Sequence, residues 1–246
     1  GDHIERQVPV FGPGAAGGLQ PKFGGGEAPT ANPANPTPGT VEMTQSLHTA
    51  YAYSMNVFLR DMNVVDIRTL MDVRDVALPA GVHATYLDTA PRMRPFTIFS
   101  DDKVTVTATL VPHGPVFPAY AFRSDTEYGS VTFSGDTRHS DNLIEMAERT
   151  DLLVYEAIGV KGAGLGEASL DHMLQSHVES DKVGLVADAA HARHLVVSHY
   201  ADLGAAKVDT NQWRRDAQQG YRGEVTIGQD LDRFNLPLRN KGRGRG

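Results

Sequence analysis

The stretch FSGDTRHSDNLIEMAERTDLLVYEA, residues 133–157, decides how the rest of the chain is read. An apolar run from Val131 to Phe133 stops at a Gly-Asp turn. A helical pattern follows over 141–149, and a second buried run, 151–156, ends on Glu156. A hydrophobic strand that stops on a carboxylate at a glycine turn puts Asp136 at a strand tip, where sheets meet solvent. Three roles are open to it there: holding a metal, capping the next helix, or decorating a loop.

The flanking sequence fits the same pattern. KVTVTATLVPHG, from Lys103, alternates cleanly, and AYAFRSD after Pro118 gives another strand. Downstream come a helix over 179–192, a strand over 194–198 and a last strand pair around EVTIGQD and FNLPL. A strand meander followed by βαβ alternation predicts a layered αβ sandwich. Upstream, QVPVFGPG reads as a short strand, Val8 to Phe11, closed by a Gly-Pro-Gly turn. Residues 12–40 are rich in Gly, Pro, Ala and Asn and predict a long loop, either flap or linker. Residues 41–62 predict a helix in which Leu47, Tyr51, Met55, Phe58 and Met62 recur at helical spacing. That stripe is read first as core or flap packing and second as the wall of a substrate pocket.

The whole sequence, 246 residues, can form one large domain or two small ones. Its net charge of −7 disfavours a nucleic-acid backbone as a general partner. Cysteine is absent, so any metal must be held by His, Asp or Glu, which suits Zn, Mn or Fe. No apolar run approaches the roughly 20 residues of a membrane span. The first residue is Gly1, and the expectation is that the natural N-terminus has been removed, processed or left out. Cytoplasm and export both remain open.

Three residues share one property. His113 follows TVTATLVP, Asp136 follows SVTFSG, and His199 follows HLVVS, each a metal-competent side chain at the end of an apolar strand. Strands of one layer put such ends along one rim, so the three can converge. Two imidazoles and a carboxylate make a site suited to Zn or a similar divalent ion. Taken singly, each is more simply a hydrogen-bonded loop residue or a cap. His177 is read as lying just before a helix with Glu179 and Asp181 in its first turn, either as an acid delivered to the rim or as a helix-entry residue. Glu156 can brace a ligand from behind. His191 and His194 read as structural, favoured near a helix C-terminus; His172 lies near His177 and could be confused with it, and His48 and His139 belong to no constellation. Gly162 to Gly166 lacks the Lys-Ser/Thr ending of a phosphate loop and reads as a flexible turn.

The set PVFGPG (9–14), LVPHG (110–114), FSGDT (133–137), DLLVYEA (151–157), SH (176–177), HLVVSH (194–199) and YRGEVTIGQDL (221–231) resembles the metallo-β-lactamase-fold hydrolases. Within them it is most similar to the branch that includes ribonuclease Z and the arylsulfatase-type enzymes. The resemblance implies an α/β fold, a four-layer αββα sandwich, as a single domain over 1–246, with 12–40 as its Gly/Pro-rich loop and 41–62 as a helical lid or insertion. It implies two divalent metal ions, zinc first with manganese or iron as alternatives, and a metal-activated hydroxide as nucleophile. His113 and His199 would each ligate one ion, Asp136 would bridge the pair and orient the nucleophile, and His177 would assist at the leaving group.

The family's His-x-His-x-Asp-His string is absent; Asp2-His3 is too close to PVFGPG to be its tail. Either the chain is part of a complete enzyme, the reading preferred here, or it has lost its catalytic half, and as written it should bind metal poorly. A hydrolase of small ester- or lactone-like substrates is expected, with sulfate or phosphodiester substrates also open. A ribonuclease Z-like phosphodiesterase, a metal-free sandwich protein and a nucleotide binder using the 162–166 loop are the rival readings. Nucleic acid and membrane are not expected partners, and a homodimer is allowed for.

Overall fold

In the computed structural model, which describes Ile4 and residues 6–236, Val8–Pro13 (β1) lies parallel to Met71–Val76 (β2), in register from Val8↔Met71 to Pro13↔Val76. These strands belong to the first of two compact units, Gly1–Gly81 and Val82–Gly246. Two helices complete this unit, Thr40–Ala50 (α1) and Ala52–Asp61 (α2). The start of α1 is held from the strands. Gly39 offers no capping side chain, so Asp75 of β2 accepts the Val41 N–H at 3.0 Å, while Thr40 donates to Pro13 O. The helix expected over 41–62 is interrupted at Tyr51, and its apolar stripe is not a core. Neither helix buries a residue, and Leu47, Tyr51, Phe58 and Met62 are all exposed.

The second unit is built on a seven-stranded sheet in the order β3 to β9. Its strands are Phe96–Ser100 (β3), Val104–Leu110 (β4), Tyr120–Thr126 (β5), Ser130–Phe133 (β6), Leu152–Gly159 (β7), His194–Asp202 (β8) and Glu224–Ile227 (β9). The first four form an antiparallel meander; β6 through β9 are parallel. Parallel neighbours need a crossover, and helices supply it: Asp141–Met146 (α3) before β7, Glu167–Ser176 (α4) and Val183–Ala189 (α5) before β8, and Thr210–Ala217 (α6) before β9.

Leu153, Tyr155, Leu195, Val197 and Ile227 alternate along their strands and meet Leu143 and Met146 of α3, Val183 and Val186 of α5, and Trp213 of α6 in one core cluster. Each large side chain taken fully from water contributes roughly 1.5–3 kcal/mol. The intervening residues Leu152, Val154 and Val196 lie on the other face of the sheet. That two-sided apolar character is why β7 reads as an unbroken hydrophobic run.

Strand direction places the site. Because β4 opposes β5 and β5 opposes β6, β4 runs the same way as β6, β7 and β8. The C-terminal ends of all four therefore open onto one rim.

Several boundaries differ from expectation. The helix expected to reach residue 149 ends at Met146, and Arg149 turns left-handed (φ 52°) to pass its N–H to Ala190 O. The helix expected over 179–192 is α5 alone, so His177 does not open a helix but ends one, as the residue after α4. The strand expected over 194–198 continues to Asp202. No strand forms at 234–236, and the rest of FNLPL lies outside the described residues.

Candidate metal centre

The Gly-Asp-Thr turn after β6 is fixed at each of its residues. Gly135 adopts φ 60°, and a Cβ there would stand 2.7 Å from Tyr120 O, so only glycine fits. Thr137 is fully buried; its hydroxyl faces Pro112 O at 3.0 Å and its N–H donates to Glu156 Oε1 at 3.2 Å. Arg138 N–H also donates to Pro112 O. Asp136 is thereby clamped between the residue preceding His113 and the buried carboxyl of β7.

His113 lies in the turn after β4, with its Nδ1 3.0 Å from Ser176 O and its Nε2 3.9 Å from Asp136 Oδ2. A carbonyl only accepts, so Nδ1 carries the proton and Nε2 is left unprotonated, its lone pair available to a metal. His199 reaches the same oxygen, Nε2 to Oδ2 at 3.2 Å, from a bulge in β8. Glu156 pairs with Ser198 and Ala157 with Tyr200, leaving His199 unmatched and left-handed at φ 44°. An extra residue in a strand re-aims its side chain, and here it turns an imidazole toward the rim. His199 keeps a side-chain exposure of 68%, against 16% for His113.

His177 enters from the end of α4. Its Nδ1 lies 3.3 Å from Glu156 Oε2, and its ring centre is 5.2 Å from that of His113 and 6.5 Å from that of His199. Burial, reinforced by the neighbouring His113 ring, holds its pKa below the usual histidine value against the pull of Asp136. Glu156 is almost fully buried. Its Oε1 accepts the N–H groups of Thr137 and Val178, while Oε2 makes no aligned hydrogen bond although it faces His177. Burial pushes its carboxyl up to about 8, the two N–H donors oppose that, and the Asp136 charge adds a smaller push upward.

Among the described residues, His113, Asp136 and His177 each offer one ligand atom lying within 4.8 Å of the others. Two nitrogens and a carboxylate oxygen at that spacing fit a divalent ion of the Zn, Mn or Fe class. Asp136 stands beside both His113 and His199, although His199 is not one of those three donors. His177 sits inside the donor cluster rather than behind it. The roles of Gly135, Thr137 and Ser176 went unread, although all three lie within quoted motifs. His139 pairs with exposed Asp141, and His194 bonds Thr226 away from the rim.

No family model matches the chain. It is similar to the ribonuclease Z of Mycobacterium tuberculosis, 28% identical over 137 residues, covering 55% of this chain and 50% of that one. A ribonuclease Z from Streptomyces avermitilis is 31% identical over 122 residues, 48% of this chain and 37% of the relative. The chain spans about half the length of the curated relatives it matches. Among solved structures, the short form of human tRNase Z aligns with a TM-score of 0.54 at 16% identity, covering 95% of this chain and 68% of that one.

Proposed function

We propose, from a chain that carries the metallo-β-lactamase fold in its ribonuclease Z-like form, a metal-dependent hydrolase of phosphodiesters with RNA as its substrate class. The observation that carries this reading is the convergence of His113 and His199 on one oxygen of Asp136, beside His177 and its buried carboxylate. The relatives' names supply the substrate class. The preference for small esters or lactones rested on net charge and on the aromatic stripe, and both arguments weaken. A charge of −7 is a sum over a chain that spans half its relatives' length, so it does not report the field at the rim. The stripe is largely exposed, so its packing does not point to any substrate class.

His113, Asp136 and His199 would hold the metal: two ions, with zinc the first candidate and manganese or iron next. When bound, such ions supply Lewis acidity and lower the pKa of water toward neutrality. The chain's own residues do the rest. Asp136 presents one oxygen to two imidazoles and fixes the spacing of the donors. Glu156, immobilised by two N–H groups, stands 3.3 Å from His177 Nδ1 and would leave Nε2 for the substrate. From there His177 would enter the step as the imidazolium, give its Nε2 proton to the leaving oxygen and return to the neutral ring that burial favours.

A second assignment follows from the donor spacing, in which His177 rather than exposed His199 completes the ligand set. Metal content separates the two. His177→Ala should retain bound zinc and lose turnover, and His199→Ala should lose zinc; the reverse pattern makes His177 the ligand. Substrate class is read by incubating the chain with zinc or manganese and a tRNA transcript, an aryl phosphodiester, an aryl ester, a lactone and an aryl sulfate. Metal-dependent cleavage of the transcript and the phosphodiester is expected, weak in this chain because His113, Asp136 and His199 alone fill a two-metal site incompletely. Turnover of the ester or lactone alone would overturn the assignment.

A further inference from the structure

Two contacts beside the centre tie the turn after β4 to the end of α4. His113 Nδ1 bonds Ser176 O at 3.0 Å, and Gly114 N–H donates to Gln175 O at 2.9 Å. The fit is tight. Gly114 has φ 49°, and a Cβ on it would stand 2.3 Å from Ser176 Oγ and 3.5 Å from Ser176 Cβ. The Ser176 hydroxyl is wholly buried and has no hydrogen-bond partner, so the side chain itself adds little to stability. What Ser176 offers is its carbonyl, its small size and its place directly before His177.

Helix α4 is mostly exposed. Ser176 is its one buried residue. It is entered through Gly162 and Gly164, both left-handed and with open space where a Cβ would be. A surface helix with a permissive entry is located by its far end. That end carries His177 and the carbonyl that selects the His113 tautomer.

We propose that Gly114 and Ser176 form a positioning seat that sets the tautomer of His113 and the placement of His177 together. The seat works because residue 114 lacks a side chain: the turn can then press against the last residue of α4, closely enough for the imidazole to reach Ser176 O. One segment of backbone thereby aims two of the four side chains of the centre. The zinc arm of the test rests on the metal reading above; the tautomer arm does not.

The test reads the histidine ring nitrogens by 15N NMR in the metal-free full chain at mildly alkaline pH. The parent chain should show His113 protonated at Nδ1. Gly114→Ala should move His113 toward the Nε2-protonated form usual for free imidazole, perturb the His177 signals, and weaken zinc binding by about tenfold or more. Ser176→Ala removes the hydroxyl that the new methyl would strike and leaves the 3.5 Å Cβ contact, which is ordinary. The double variant should therefore return both signals and zinc binding toward the parent, and Ser176→Ala alone should keep the parent tautomer. An unchanged tautomer in Gly114→Ala would overturn the seat. So would a double variant no better than Gly114→Ala, since the fault would then lie in left-handed backbone strain alone. Should Gly114→Ala prove unfolded by circular dichroism, Ser176→Thr crowds the same buried position by one methyl and is expected to shift His113 in the same direction. A parent chain that binds no zinc but shows the expected tautomer would sink the metal reading and leave the seat standing.

Discussion

Thr137 illustrates how much of the centre depends on a residue that touches no ligand. Its N–H holds Glu156, 19 positions away, and its hydroxyl faces Pro112 O, 25 positions away. Thr137→Val keeps the shape and removes the hydroxyl. The expected outcome is a loss of about 0.5–1.5 kcal/mol in a urea melt, the net worth of one buried hydroxyl hydrogen bond, since Pro112 O keeps the Arg138 N–H. Zinc binding should fall by about tenfold as Asp136 and His113 lose their common clamp. Thr137→Ser should restore most of both, and a Val variant with unchanged zinc affinity would show that the clamp does not hold the ligands. Asp136 was legible in the sequence because a charged residue ending an apolar strand breaks a local pattern. Thr137 was not, because its partners are set by which strands become neighbours. Glu156 was legible as a brace for the same local reason as Asp136, whereas its alignment on His177 depends on where α4 ends.

Elements with an apolar period or an unbroken apolar run announced themselves, α1 and α2 among them although their stripe stays exposed, and those without one did not. Strands β4 and β6 to β9 carry apolar runs and were read within a few residues. Helix α6, TNQWRRDA, buries only Trp213 and Ala217, and α4 buries only Ser176, so neither shows a helical apolar period. The bulge at His199 is likewise invisible in HLVVSH, since the extra residue exists only relative to β7. Helix α1 depends on its tertiary cap more than on its own sequence. It has no buried residue, and Asp75 replaces the cap that Gly39 lacks. Asp75→Ala should cost unit 1 about 1 kcal/mol. Hydrogen exchange should then report lost protection of the first-turn amides of α1, with the amides of β7 and β8 unchanged. Unaltered exchange at Val41 and Glu42 would show that the helix start is held by Thr40 and Pro13 instead.

Across the molecule, the order of motifs carried the fold class, because all but SH mark a strand or its end and the strands of the large sheet line up in chain order from β3 to β9. The division into two units was not legible: the Gly/Pro-rich stretch at 12–40 lies within the first unit, and the boundary falls near Gly81. The apolar core described by Leu153, Tyr155, Leu195 and Trp213 belongs wholly to the second unit. Trp213 is the single tryptophan of the chain and is 4% exposed, so its fluorescence follows the second unit alone. Leu195 is fully buried in the same cluster, on β8 four residues before His199. Leu195→Ala leaves a cavity between the sheet and its helices, and the tryptophan transition in urea should lose about 2–5 kcal/mol. The site should respond differently. In the absence of denaturant the variant remains folded if the parent exceeds that loss, and zinc binding should stay within about twofold of the parent, because Leu195 packs in the core cluster while the bulge after Ser198 re-aims His199 independently of it. A variant that loses zinc affinity in proportion to its stability would mean that core packing behind β8, rather than the clamp at Thr137 and the seat at Gly114, sets the geometry of the centre.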